Sequence, residues 1–164
     1  MLTLVESLAA PNANMTPISN RLIASGAALV LSAGCLTHHQ PVRTPGAEPG
    51  SIQYQSYCAG CHEFDEAPPL ANSPWVSGPE DRLIRIALHG VRGPIEVNGK
   101  TDDREMPGFG HILSDADVAS VLSFVRKRFG APSEPIRPLA VSRVRAANQN
   151  RTDYWSVEEL LRQP

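Results

Sequence analysis

Apolar positions recur with a helical period in two clear places. In residues 114–129, Val118, Val121, Leu122 and Val125 stand at i, i+3, i+4 and i+7, the stripe of a helix buried on one side. Ser114 is placed to cap it, with Asp117 three residues on as the other half of a capping box. Arg126, Lys127 and Arg128 fill the last turn, where cations suit the helix dipole, and Gly130 and Pro132 follow as stop signals. Residues 79–89 carry Leu83, Ile84, Ala87 and Leu88 on one side, open on a proline and close before Gly90. His89 in that last turn reads as a surface or dipole-compensating residue. A third helix is expected over 51–59. Gly93-Pro94 and Asn98-Gly99 mark turns between the second helix and the segment around residue 106.

The pattern is different at the N-terminus. Residues 22–34 are apolar and small, carry no charge and follow Arg21. The run is shorter than the roughly 20 residues a spanning helix needs and has the make-up of an export signal. It ends in Leu31-Ser32-Ala33-Gly34-Cys35, which resembles a bacterial lipoprotein signal with Cys35 as the lipidated residue; a plain secretory signal is the alternative. Residues 1–14 hold Glu6 and no base, so Met15 is a second candidate start. Residues 35–49, with prolines at 41, 45 and 49, read as a tether in which His38 and His39 are solvated. The expected organisation is a signal over 1–34, a tether over 35–49, one domain over 50–130 and an extension over 131–164.

Composition adds limits. The 164 residues are 41% hydrophobic and 20% charged, ordinary for one packed core, while 15 prolines and 12 glycines imply many loops. A net charge of −2 argues against a nucleic-acid binder. Charge is nonetheless uneven. Residues 48–117 carry 12 acids and 5 bases, and residues 126–162 carry 8 bases and 4 acids. Solvation explains most such charge; steering of a basic partner by an acidic face is the sharper reading.

The chemistry centres on Cys58-Ala59-Gly60-Cys61-His62. Three cysteines, one of them Cys35, do not form a disulfide framework. Structural zinc wants four ligands, and the chain has no second cysteine pair. A thioredoxin-like pair wants a βαβ setting, which the pattern lacks. What remains is covalent attachment of one c-type haem. Two intervening residues bring both thiols under the two vinyl groups, and the next residue supplies an imidazole to the iron. Met106 is the candidate for the sixth ligand. With Met1 and Met15 in the signal, it is the one thioether left, and it stands in a Pro/Gly loop 44 residues after His62. His111 is an alternative that would give a bis-histidine centre.

Gly50 and Tyr54, eight and four residues before Cys58, together with the order short helix, CxxCH, proline loop, middle helix, methionine loop and long final helix, resemble the class I cytochromes c over about residues 50–130. The resemblance implies an all-α fold of short helices wrapped around one haem, with Gly50 and Tyr54 packed on the last core helix near Val121 and Phe124. Pro68-Pro69-Leu70, Trp75-Val76 and His89-Gly90 are similar to the branch that serves dehydrogenases, quinoprotein alcohol or sugar dehydrogenases among them. It further implies that the carbonyl of Pro69, or of Pro68, accepts the Nδ1 proton of His62, that Trp75 walls the haem and that Arg85 meets a propionate. Only five residues separate His62 from the proline pair, fewer than is usual in that family, which implies a less covered haem edge there.

The expected function is therefore electron transfer rather than catalysis. A periplasmic shuttle, held to the membrane by a lipid on Cys35, would pass single electrons from a dehydrogenase to an oxidase or another cytochrome. If Met106 does not bind, the open iron implies a haem sensor or peroxidase instead. The extension, with Leu139, Val144 and Ala147 as sparse apolar points and a Ser156/Glu159 capping box, is expected to pack on the domain or to dock a partner.

Overall fold

The computed structural model describes residues 46–163. The signal, the Met15 start, Cys35, His38 and His39 lie outside the described residues. Seven helices and five short strands follow one another as α1 (Ser51–Tyr57), α2 (Ala59–His62), α3 (Pro74–Ser77), α4 (Glu80–His89), β1 (Gly90–Arg92), β2 (Ile95–Val97), β3 (Lys100–Asp102), β4 (Met106–Pro107), α5 (Asp115–Phe129), α6 (Pro138–Ala147), β5 (Trp155–Ser156) and α7 (Val157–Arg162).

The expected helices form largely where the pattern puts them. Ser114 and Asp117 cap α5 reciprocally, and Val118, Val121, Leu122 and Val125 face inward. Pro79 is the residue before α4 rather than its first helical one, and the third helix breaks at Cys58 into α1 and α2. Arg126, in the last turn where a cation suits the dipole, also has a second role. It is buried, donating from Nε to the Val76 carbonyl at 3.2 Å and from Nη2 to that of Gly78 at 2.5 Å, which ties the end of α3 to α5.

The all-α expectation needs correction in one respect, because the chain is helical with short strands added. β1 lies between β4, to which it runs antiparallel, and β5, to which it runs parallel. A separate hairpin pairs β2 with β3. These strands have two or three residues each, too short to show a period of two in the sequence.

One core cluster joins α1, α4, α5 and α6. Ile84, Val118 and Val141 within it are fully buried, each stabilising the fold by about 1.5–3 kcal/mol. Tyr54 lies against Phe124 with ring centroids 5.2 Å apart, and Gly50, at φ 84°, meets the backbone of Ser120 and Val121 so closely that a Cβ would stand 2.1 Å from the Ser120 carbonyl oxygen. A second, smaller cluster gathers Ile86, Val91, Trp155 and Leu160, with Trp75 and Met106 at its edge. Its members come from α4, β1, β5 and α7. Among the described residues no helix is long and apolar enough to cross a membrane.

Candidate haem site

The backbone of α1 and α2 sets the cysteine pair. The Cys58 N–H donates to the Tyr54 carbonyl at 2.9 Å, and the Cys58 carbonyl accepts from Cys61 at 3.2 Å and from His62 at 3.0 Å. One turn thus holds both sulfurs and the imidazole. Both cysteines are free thiols; Cys58 is half-buried and Cys61 exposed. Burial, with a smaller contribution from Cys61, pushes the Cys58 thiol up to about 11.

His62 is oriented by the chain that follows it. Its Nδ1 stands 2.9 Å from the Pro68 carbonyl. A carbonyl only accepts, so Nδ1 carries the proton and donates, leaving Nε2 with its lone pair free. Burial holds the ring's pKa below the usual histidine range, and the Pro68 bond opposes this more weakly. Burial thus favours the neutral imidazole, the form that ligates a metal.

Cys58, Cys61, His62 and Met106 all line one crevice. Met106 is half-buried on β4, and Tyr57 and Phe109, with ring centroids 5.9 Å apart, complete an aromatic side. Two thiols, one neutral imidazole and one thioether around a mainly apolar space fit a covalent haem.

Residues 45–125 match the family model described as cytochrome C oxidase, cbb3-type, subunit III. This segment is a cytochrome c domain. The chain is 35% identical over 99 residues to a nicotinate dehydrogenase subunit of Pseudomonas putida, a match covering 56% of the chain and 8% of that protein. It is 35% identical over 89 residues to the cytochrome c subunit of the quinone alcohol dehydrogenase of Gluconobacter oxydans, covering 49% and 18%. It is 30% identical over 94 residues to cytochrome c-552 of Thermus thermophilus, covering 51% and 63%. The chain therefore spans less than two thirds of each of these relatives. Cytochromes c carry haem c covalently, in keeping with the thiol pair.

The remaining expected residues of the cytochrome c domain fall in different places. The carbonyl that meets His62 is that of Pro68, the second of the two candidates, and not that of Pro69. Trp75 does not line the crevice. Its Nε1 donates to the Glu96 carbonyl at 3.1 Å and its ring lies under the Arg82 guanidinium at 4.7 Å, which together hold it on the smaller cluster. Arg85 does not line it either. It is buried on α4 with its guanidinium 5.9 Å from the Trp155 ring, and its Nε and Nη1 have no partner. His111 is exposed and borders a different cavity.

Arg104 was not legible in the sequence. Its guanidinium clasps the Asp102 carboxylate and donates from Nη1 to the Asp65 carbonyl at 3.0 Å, joining the methionine loop to the loop after the cysteine motif at the crevice mouth. The Arg104 bond holds Asp102 below the usual carboxylate range. The signal available was the pair Asp102 and Arg104 at i, i+2; the turn at Asp65, with φ 57°, gave none. Tyr57 and Phe109 were also missed, though Tyr57 directly precedes Cys58 and Phe109 stands three residues after Met106.

Proposed function

We propose that this chain is a single-haem electron carrier with a class I arrangement over residues 50–130. Cys58 and Cys61 would form the thioethers, and His62 and Met106 would hold the iron. Haem c so held supplies reversible one-electron transfer between ferric and ferrous iron. The observation that carries the reading is that two thiols, an imidazole with a free Nε2 and a thioether line one crevice. With His62 and Met106 both holding the iron, no place would remain on it for a substrate, and the role would be transfer rather than catalysis. A thioether ligand stabilises the reduced state and favours a high potential. The buried, unpartnered nitrogens of Arg85 suit a carboxylate partner such as a propionate.

The surroundings of Cys61 suggest how electrons pass. Cys61, Glu63, Phe64, Asp65 and Glu66 are all exposed, as are Asp103 and Glu105 beside Met106. An acidic rim around a thin edge favours a basic partner and a salt-dependent encounter. The named relatives include dehydrogenase subunits, and a dehydrogenase donor with an oxidase or a second cytochrome as acceptor is the proposed flow. The proposed place is the periplasm, with a lipid on Cys35 as anchor.

The test is an absorption spectrum of the oxidised haem-loaded protein beside Met106→Ala. A weak far-red sulfur-to-iron band, lost in the variant, is expected. A covalent haem without that band in the wild type would sink the methionine ligand and favour a sensor or peroxidase.

A further inference from the structure

The C-terminal extension lies outside the segment matched by the cytochrome family, 45–125, yet it grips the methionine loop from two sides. On one side, Met106 pairs with Val91 in β1, and Val91 pairs in turn with Trp155 in β5. Trp155 is buried in the cluster against which Met106 packs. Tyr154 stands so close to Gly90 that a Cβ there would meet its ring at 2.7 Å and the Met106 carbonyl oxygen at 2.3 Å. On the other side, Arg145 of α6 holds the segment that leaves the loop. Its Nη1 donates to the Gly110 carbonyl, its Nη2 to that of Leu113 at 3.0 Å and its Nε to the Asp115 carboxylate at 2.7 Å.

Beneath these grips the loop is fastened to the end of α4. The Phe109 and Gly110 amides donate to the Ala87 and Leu88 carbonyls at 2.9 and 3.0 Å. The loop is thus a short segment fastened to α4 and β1, with β5 backing it across β1 and Arg145 holding the segment that leaves it. A ligand loop leaves the iron only when such fastenings open together.

We propose that the extension is a strap that sets how readily Met106 leaves the iron, with Arg145 and Trp155 as its positioning residues. The inference rests on the reading of Met106 as a ligand. An outside ligand can bind only in the fraction of molecules whose loop is open, so its apparent affinity reports that fraction. Arg145 makes three charge-assisted bonds to one segment, and losing even one such net contribution raises the open fraction about tenfold.

The experiment is a titration of the ferric haem-loaded full chain with imidazole, read by loss of the far-red band. Arg145→Ala is expected to bind imidazole about tenfold more tightly than the wild type. Arg145→Lys, which keeps the charge without the planar fork, is expected to fall between. Arg143→Ala breaks a surface pair with Asp81 that does not touch the loop, and is expected to match the wild type. Equal affinity in Arg145→Ala and Arg143→Ala, with the band present in the wild type, would overturn the strap alone. No band in the wild type would overturn the methionine ligand and the strap with it. If the Arg145 variants do not fold, amide exchange of the wild type decides. The Phe109 and Gly110 amides are expected to open in the same cooperative step as the Glu159 amide. An extension that opens while those loop amides stay protected would overturn the proposal.

Discussion

Replacing Gly50 by alanine tests the contact that fixes where the cysteine motif points. Gly50 precedes α1 with φ 84°, and a Cβ there would lie 2.1 Å from the Ser120 carbonyl oxygen, 2.5 Å from its carbon and 2.9 Å from the Val121 nitrogen. All three atoms are backbone of α5 and cannot rotate away. The left-handed conformation alone costs an alanine roughly 1–2 kcal/mol. Forcing α1 off α5 adds the roughly 1–3 kcal/mol typical of overpacking. The sum, about 2–5 kcal/mol, is a large part of the roughly 5–15 kcal/mol that holds a domain together. Two other glycines separate the contributions. Gly99 has φ 73° and nothing within 4 Å of its would-be Cβ, so Gly99→Ala carries the conformational cost alone. Gly60 lies in α2 with equally open space, and Gly60→Ala should gain about 0.5–1 kcal/mol. Guanidinium unfolding of the three variants, followed by far-ultraviolet circular dichroism, gives the ladder. A Gly50→Ala midpoint no lower than that of Gly99→Ala would refute the close approach, and with it the account of how α1 aims Cys58.

Other expectations follow from single residues. Arg126→Met leaves the Val76 and Gly78 carbonyls without their cation and should lower stability by about 2–3 kcal/mol in the same unfolding assay. Ser114→Ala removes the α5 capping box, with an expected loss of about 1 kcal/mol. Glu159 is held below the usual carboxylate range, first by the Ser156 backbone N–H and next by Arg151. A depressed folded value means its stabilisation is complete above the unfolded value of about 4.3 and fades as pH falls through the lower folded value. Melting temperatures of the wild type and Glu159→Gln should therefore differ near neutrality and converge in acid; a gap that widened in acid would contradict the sign.

Local signals were legible in the sequence and distant ones were not. The α5 capping box and stripe, and the spacing of Cys58, Cys61 and His62, depend on neighbours within one or two turns. The helix α6 was not foreseen because its apolar points misled. Leu139, one of those singled out, is 77% exposed, while Val141 is fully buried against the core. The strands carry two or three residues, so pairing partners rather than periodicity define them. The choice between Pro68 and Pro69 turned on the path of a short loop, which residue types alone do not set. Trp75 and Arg85 were placed by analogy with a family pattern; that Trp75 packs on the smaller cluster and that Arg85 stands 5.9 Å from the Trp155 ring depends on distant partners that residue types alone do not set. Met106 could be reached because it is the one methionine of the sequence beyond Met15, an argument from inventory rather than from shape.

The pairing of Val91 with Trp155 joins residues 64 positions apart, and this orders events in time. α1 and α2 draw on bonds within five residues and can form as soon as they are made. The three-stranded sheet must wait until Trp155 is available, and long-range pairings of this kind close slowly. A chain threaded out from its N-terminus therefore offers Cys58, Cys61 and His62 early, while the wall that bears Met106 is still open. Trp155, which emerges much later than the cysteine motif, is one of the residues that shut it.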